Sequence, residues 1–381
     1  MNLDGNGKQG SSLASIDLAN HKTESLLSVV MPVYNQEVVL EETLASIAAQ
    51  TFDGYELLCI DDGSSDCSRD ILRAYAASDG HLRLFLRPHE GAAKARNYGL
   101  SRAVGKYVIF LDSDDLFHPA FFERMVDALE RTDADVCICE YDAFESGDNR
   151  VSYAYRFRPK LREGLYDRGD LGRDTFNVGM GVPWNKMYRR SLLLDCGASF
   201  QDVRCSDDCL FTAKAIMAAR TVFLLEQSLV RYRRGLGTSI EDRRYPFSAD
   251  ILTVVEELFR QIWDDGALGP EEALGLRLGC GLRIARAVDG AMVAGIYTKE
   301  FHARVVEDLR ETGVDGLPLR DFDSGLVALW VLLLKNATYE GTVWASGRWH
   351  PFSAGESYTM LRKVGFAVRV VVAAIAGRLG R

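Results

Sequence analysis

Short apolar runs alternate along the chain with runs whose apolar residues recur at helical spacing. Five apolar runs are rich in β-branched and aromatic residues and end in polar turns: 26–35, 55–66, 82–88, 106–115 and 134–141. Four amphipathic runs lie between them: 37–50, 68–78, 92–103 and 119–132. Strands that are apolar along their whole length and alternate with helices predict a parallel sheet covered on both faces.

Polar residues gather where these predicted strands end. The ends are "PVYN" at 32–35, "DDGSSD" at 61–66, "LRPHEG" at 86–91 and "DSDD" at 112–115. In open sheets of this type, ligands bind outside the carboxyl ends of the strands. We therefore expect a functional site at this edge of the sheet.

The remainder of the chain has a looser pattern that changes again near residue 245. Residues 153–170 are aromatic and basic and indicate an inserted loop or ribbon, and 223–240 indicate a last strand followed by a basic loop. Helical patterns dominate beyond that point, for example at 248–265 and 271–295. We predict a polar tail at 1–25, an α/β domain at 26–240 and a helical region at 241–381.

Composition narrows the classes of function. The formal net charge of the 381-residue chain is -9, which disfavours broad nucleic-acid binding because phosphate contacts need a surplus of lysine and arginine. Eight cysteines without a CxxC motif indicate reduced thiols in a cytoplasmic protein. The first 25 residues lack the apolar segment of a signal peptide. The longest apolar run, 326–334, is about half of the ~20 residues that a membrane-spanning helix needs.

The "DSDD" turn is the strongest chemical signal. Asp112 and Asp114 share a side if the chain is extended, and carboxylates in that arrangement suit Mg²⁺ or Mn²⁺. The alternative is a solvated acidic turn in which Asp115 caps the next helix. Two further acidic segments, "DDGSSD" at 61–66 and "SDDCLF" at 206–211, favour a shared site over three unrelated turns.

Together these segments resemble a known family. "VVMPVYNQEVVLEETLASIAAQTFDGYELLCIDDGSSD", "GAAKARNYGL", "YVIFLDSDD" and the acidic pair before "LF" occur in the order found in family 2 glycosyltransferases with a GT-A fold. The resemblance covers about residues 26 to 240. It implies a Rossmann-like, mostly parallel sheet between helices, and an inverting transferase that uses a nucleotide-diphosphate sugar, with UDP favoured.

The resemblance also implies residue roles on the donor side. Asp114 is the expected ligand of Mn²⁺ or Mg²⁺, with Asp112 near the ribose or in the second shell of the metal. Asp62 is expected to accept a hydrogen bond from the base, Pro32 and Tyr34 to line the base pocket, and the start of the helix with Lys94 and Arg96 to face the phosphates. The full set of expected nucleotide contacts is Pro32, Tyr34, Asn35, Asp62, Lys94, Arg96 and Asp112. A helix N-terminus with cationic side chains favours phosphate.

On the acceptor side, the resemblance implies Asp208 as the general base, with Asp207 in support. Adjacent like charges raise one pKa, which helps a base work near neutral pH. Trp184 and Lys186 match positions that shape the sugar and acceptor site, although Trp184 could instead belong to the core. Arg231, Arg233 and Arg234 form a basic cluster that either closes over the diphosphate or is a solvated loop.

The C-terminal segment 361–381 is apolar and basic and has no acidic residue. Its cations are Arg362, Lys363, Arg369, Arg378 and Arg381. Such a helix either lies on an anionic membrane, which would place the protein at the inner face of the plasma membrane, or packs on protein. Together with the family resemblance, the membrane alternative implies an acceptor that is a glycan or a lipid-linked molecule of cell-surface polysaccharide or glycolipid synthesis. The oligomeric state stays open.

Two alternatives compete with this interpretation. A polyprenyl phosphate acceptor is already ionised and needs no base, so an obligatory Asp208 would disfavour it. A non-catalytic sugar-nucleotide-binding or scaffold protein is disfavoured by the complete set of Asp62, Asp114 and Asp208.

Overall fold

The computed structural model describes residues 25–158, 160–179, 181–237, 245–263, 268–346 and 370. Most of the predicted tail at 1–25 and the basic C-terminal segment with its five cations lie outside these residues. Within the described ranges, no helix combines the length and the apolar content that crossing a bilayer requires.

The first part of the chain alternates strands and helices, as the hydrophobic pattern predicts. The strands are β1 Leu27–Val33, β2 Tyr55–Asp62, β3 Leu82–Arg87, β4 Tyr107–Phe110, β5 Leu116–Phe117, β6 Val136–Glu145, β7 Asp148–Tyr155, β8 Gly164–Asp167, β9 Lys186–Arg189 and β10 Thr221–Arg234. The helices are α1 Leu40–Ala48, α2 Ser68–Ser78, α3 Ala92–Arg102, α4 Phe121–Thr132, α5 Arg190–Asp195 and α6 Asp208–Ala218.

One sheet contains all of these strands. Its order is β3-β2-β1-β4-β9-β6-β10-β5, with β7 beside β6 and β8 beside β10. Strands β1 to β4 pair in parallel, as do β6 and β10, whereas β9 runs antiparallel between β4 and β6. The predicted α/β class is confirmed, and the parallel block that positions the strand ends is β3-β2-β1-β4.

Both faces of the sheet are covered, which explains why its central strands are apolar throughout. Helices α1, α2 and α4 bury their apolar residues on one face. Helices α3, α5 and α6 bury theirs on the other. All seven residues of β1 and all eight of β2 are buried.

The predicted helical C-terminal region is confirmed as well. It contains α7 Ser248–Trp263, α8 Pro270–Val293, α9 Lys299–Glu311, α10 Gly325–Asn336 and α11 Tyr339–Ser346. These helices enclose a core of their own. Helix α6 contributes to two cores, since Phe211 and Ile216 face the sheet while Leu210 and Ala213 face the C-terminal region. The domain boundary at residue 240 stays a prediction.

Gly99 offers a test of how closely α3 approaches the sheet. A methyl group there would lie 2.3 Å from Val30 Cγ1 and 3.0 Å from Ile60 Cδ1. Gly→Ala in a helix normally stabilises by about 1 kcal/mol, but overpacking a core costs about 1–3 kcal/mol. We expect Gly99→Ala to lower the free energy of unfolding by about 1–2 kcal/mol in urea denaturation. In Gly80→Ala the new methyl has no neighbour within 4 Å, and that variant is the control. Equal stability of the two variants would contradict the close approach.

Candidate active site

The carboxyl ends of β1 and β2 are locked together by Asn35. Its Oδ1 accepts a hydrogen bond from the Ser65 N–H at 2.8 Å, and its own N–H donates to Ser64 Oγ at 3.1 Å. Asn35 has a φ of 52°, a left-handed conformation that asparagine tolerates better than most residues. Pro32 is buried in β1 beside Ile60. In the structure, Asn35 therefore holds the segments that follow β1 and β2 together, whereas its predicted nucleotide contact stays a prediction.

Asp62 organises the loop between β3 and α3. Its Oδ1 accepts from the Glu90 N–H at 2.8 Å, and its Oδ2 accepts from the Gly91 N–H at 2.9 Å. His89 Nδ1 lies 2.8 Å from the same Oδ2. The His89 ring stacks on Tyr34 with centroids 4.0 Å apart, and Tyr34 is 42% exposed. His89 thus contacts both Asp62 and Tyr34, and the predicted contacts of these two residues with the base stay predictions.

The acidic turn brings three carboxylates together. Oxygens of Asp112, Asp114 and Asp115 lie within 4.8 Å of one another. Burial first and Asp112 second raise the pKa of Asp114 to about 7, and burial raises the pKa of Asp115 well above its usual value. Asp115 does not cap α4, which begins at Phe121.

The turn fits a divalent cation on the chemistry of its donors. Asp115 is fully buried, its Oδ1 accepts the Arg233 N–H at 2.8 Å, and its Oδ2 has no hydrogen-bond partner among the described residues. A cation would compensate that oxygen and the repulsion among the three carboxylates, and carboxylate oxygens suit Mg²⁺ and Mn²⁺. Asp115 is therefore a candidate ligand beside Asp112 and Asp114, whereas the sequence considered it only as a helix cap in the alternative of a solvated turn.

Arg96 connects the acidic turn with the downstream acid pair. Its Nη2 donates to Asp112 Oδ1 at 2.7 Å and its Nη1 to Asp207 Oδ2 at 2.8 Å. The residue is only 7% exposed. Burial opposes its charge, but Asp207 and then Asp112 outweigh burial and raise the pKa of Arg96 above its usual value. Lys94, by contrast, is on the surface of α3 in an ion pair with Asp202.

Asp207 and Asp208 stand at the start of α6. Asp207 is the N-cap residue and Asp208 the first residue of the helix. Burial raises the pKa of both, and burial followed by the charge of Asp207 raises the pKa of Asp208 to about 7. With Asp207 paired to Arg96, the two carboxyls have different surroundings, and Asp208 is the one that can take up a proton near neutral pH.

The C-terminal region anchors the loop that precedes this acid pair. The Arg204 side chain donates two hydrogen bonds to the Asp250 carboxylate of α7, from Nε at 3.1 Å and from Nη2 at 3.2 Å. The Cys205 thiol lies 3.3 Å from the carbonyl of Phe247. These contacts join the helical region to the residues that enter α6.

Trp184 and Lys186 lie inside the protein. The Lys186 ammonium donates to the carbonyls of Gly179 and Val182, each at 2.7 Å, and burial lowers its pKa to about 7. Trp184 is 4% exposed and stacks on Tyr232 with centroids 5.3 Å apart. In the structure both residues are buried among internal partners, and their contact with a sugar or an acceptor stays a prediction.

The three predicted loop arginines belong to the end of β10. The Arg233 side chain donates to the Asp114 carbonyl at 2.7 Å and to Glu42 at 2.6 Å, so it supports the acidic turn from inside. Arg231 lies over the Phe144 ring at 4.6 Å. Arg234 is 4.0 Å from Glu145. Their contact with a diphosphate stays a prediction, and 238–244 of the basic loop lie outside the described residues.

Sequence reasoning missed His89 and the supporting role of Arg233. The sequence did contain an indication that His89 belongs to the site, because "LRPHEG" ends β3 at the edge where β1 and β2 also end. It contained no indication of the contacts of Arg233, since the partners Asp114 and Glu42 are more than a hundred residues away in sequence.

Comparisons with known proteins show which family and which fold this chain resembles. Residues 28–197 match the family model described as "Glycosyl transferase family 2". The chain is 29% identical to the Bacillus subtilis glycosyltransferase EpsH over 225 residues, which are 56% of this chain and 62% of EpsH. It is 28% identical to the Escherichia coli glycosyltransferase YibD over 316 residues, 76% of this chain and 89% of YibD.

A solved structure shares the fold. The chain superposes on S. aureus TarS 1-349 in complex with UDP-GlcNAc with a TM-score of 0.61 at 20% identity, covering 93% of this chain and 92% of the other. The chain spans 62% of the length of EpsH, which is less than two thirds of that relative. Residues 28–197 therefore match a family 2 glycosyltransferase domain, and the chain shares a GT-A fold with TarS.

Proposed function

We propose that the chain transfers a sugar, with inversion, from a nucleotide-diphosphate sugar to a hydroxyl group of a cell-surface glycan or glycolipid acceptor. The observation that carries this proposal is the Arg96 bridge, which joins Asp112 on the metal side to Asp207 on the acid-pair side. Donor activation and proton removal have to occur within a few ångströms of one another in such a transfer. TarS, which shares the fold, is known in complex with UDP-GlcNAc, and this supports UDP as the nucleotide.

On the donor side, the rings of Tyr34 and His89 and the Asp62 carboxylate form the proposed base site. Asp112, Asp114 and Asp115 would hold a divalent cation. That cation would neutralise the negative charge that develops on the leaving diphosphate. Arg96 contributes a fixed positive charge at the same edge, and its two carboxylate partners keep its guanidinium oriented.

On the acceptor side, Asp208 takes the proton from the attacking hydroxyl. Its raised pKa makes it a stronger base than an ordinary carboxylate while leaving it ionised in a large fraction of molecules near neutral pH. Asp207 cannot perform this step as readily, because its carboxylate is already engaged by Arg96. The pair therefore divides into a base and a residue that positions it.

Asp114 gives the first test. We expect Asp114→Asn to weaken UDP binding in the presence of Mn²⁺ by about 10-fold or more, because the carboxylate contributes a metal ligand. UDP binding with chelator should stay as weak as in the wild type. Isothermal titration calorimetry with both conditions measures this difference.

The matched control is Asp127→Asn, an exposed carboxylate on α4 that pairs with Arg131 on its own helix. It should bind UDP and Mn²⁺ like the wild type. If Asp114→Asn binds UDP in a metal-dependent manner with wild-type affinity, Asp114 is not a ligand of the metal.

Asp208 gives the second test. We expect Asp208→Asn to slow the release of UDP from the donor sugar by about 10²–10⁴-fold, the usual contribution of a general base. The affinity for UDP with Mn²⁺ should change little, because the residue acts on the acceptor side. Asp195→Asn, at the exposed end of α5, is the control. A full rate in Asp208→Asn would instead favour an acceptor that is already ionised, such as a polyprenyl phosphate.

The pH dependence gives the third test. The protonated form of Asp208 cannot accept a proton, and its pKa is raised to about 7. We therefore expect kcat/KM to fall as the pH is lowered through about 7 and to level off above it. A stopped assay of UDP release from pH 5.5 to 8.5 would show this limb. A profile that stays flat down to pH 5.5 would contradict a base with a raised pKa.

A further inference from the structure

The carboxylate of Asp62 is buried at the end of β2 and is already occupied by three donors. The residue is only 3% exposed. Its Oδ1 accepts the Glu90 N–H at 2.8 Å, and its Oδ2 accepts the Gly91 N–H at 2.9 Å and lies 2.8 Å from His89 Nδ1. A base that approached this carboxylate would have to displace one of these contacts. Asp62 is therefore poorly placed for the direct contact with the base that the family resemblance implies.

The same contacts decide which nitrogen of the His89 ring carries a hydrogen. Nδ1 faces two oxygens of Asp62, the carboxylate Oδ2 at 2.8 Å and the backbone carbonyl at 3.1 Å. An ionised carboxylate and a carbonyl only accept hydrogen bonds, so Nδ1 has to be the donor. The imidazole is thus held in one orientation by the last residue of β2.

Gly63 lets the loop after β3 come close enough for this contact. Its φ of 78° lies in the left-handed region, which glycine adopts without strain. A Cβ atom at this position would lie 2.7 Å from the His89 backbone nitrogen and 3.0 Å from His89 Cβ. Any side chain at residue 63 would push His89 away from Asp62.

His89 in turn covers one face of the Tyr34 ring. The ring centroids are 4.0 Å apart and the ring planes are inclined by only 16°. Tyr34 is 42% exposed, and no other aromatic ring stacks on it in the part of the chain that the structure describes. An exposed tyrosine would otherwise sample several rotamers. The stack orders the ring before a ligand arrives, which lowers the entropic cost of binding.

We propose that His89 is a positioning residue for the donor base: Asp62 orients His89, His89 fixes Tyr34 from one face, and the base stacks on the opposite face. This inference rests on the proposed transferase function. The base is held by its flat surface, and Asp62 acts on it only through the two rings. Stacked aromatic pairs are worth about 2- to 12-fold in affinity, which sets the size of the expected effects.

Calorimetry with two ligands separates the base from the phosphates. UDP and pyrophosphate are titrated in turn into the 381-residue chain with Mn²⁺ present. We expect His89→Ala to bind UDP about 3- to 10-fold more weakly than the wild type, because Tyr34 loses its support. Pyrophosphate has no base and should bind both proteins equally, which also shows that the variant is folded. His118→Ala removes an exposed histidine outside this cluster and should match the wild type with both ligands.

Two further substitutions separate the ring of His89 from its hydrogen bonds. His89→Phe retains a ring that can stack on Tyr34 but cannot donate to Asp62, whereas His89→Asn retains a donor and has no ring. We expect the UDP affinity of His89→Phe to lie between those of the wild type and His89→Ala, and that of His89→Asn to equal His89→Ala. The reverse order would show that the hydrogen bonds matter and the stack does not, and would overturn the proposal.

A modified nucleotide tests whether Asp62 touches the base. In 3-methyl-UDP a methyl group replaces the N3–H of uracil, so a carboxylate can no longer accept a hydrogen bond from it. We expect the ratio of the UDP and 3-methyl-UDP affinities to be the same in the wild type and in Asp62→Asn. A preference of the wild type for UDP of about 10-fold that disappears in Asp62→Asn would mean that Asp62 binds the base directly.

The outcomes keep this inference apart from the proposed function. Absence of UDP binding by the wild type would refute the proposed function, whereas equal UDP binding by the wild type and His89→Ala would refute only the role of His89. Long-range ¹H–¹⁵N spectra of the histidine rings test the contact with Asp62 without any ligand. We expect the hydrogen of His89 on Nδ1, and a ring with its hydrogen on Nε2 alone would overturn the arrangement whether or not UDP binds.

Discussion

A single buried guanidinium holds the two halves of the site together. Arg96 is fixed by Asp112, which follows β4, and by Asp207, which caps α6. Breaking a buried pair of this kind by removing one partner is costly, because it leaves an uncompensated charge. Here the site contains more acidic groups than the one guanidinium can pair, and Asp114, Asp115 and Asp208 all have raised pKa values. The proposed metal ion and the proposed proton transfer would both relieve this excess of negative charge.

Helix α6 links this chemistry to the rest of the fold. Its Phe211 packs on the sheet, and its Leu210 packs on the C-terminal helices, so the position of Asp208 depends on both cores. The Arg204–Asp250 pair ties the preceding loop to α7 as well. The position of the acid pair therefore depends on the C-terminal region as well as on the sheet.

The short motifs were predictable because each is local. A strand that ends in acidic residues places them at the edge of a parallel sheet, whatever the details of packing. The clustering of Asp112 with Asp114 and the proximity of Tyr34 to Asp62 followed from this rule. The antiparallel insertion of β9 between β4 and β6 did not follow, because nothing local in a four-residue strand specifies its partners.

The sequence by itself determined the fold class, the family resemblance and the edge of the sheet at which the chemistry is located, since hydrophobic period and motif order are properties of the chain. Only the tertiary structure decided which polar side chains already have their hydrogen-bonding partners inside the protein. Arg233 and Lys186 were candidates for substrate contacts, yet their donors are satisfied by a carboxylate and by backbone carbonyls inside the protein. Pairing of charges between distant segments depends on three-dimensional distance, which a linear pattern does not contain.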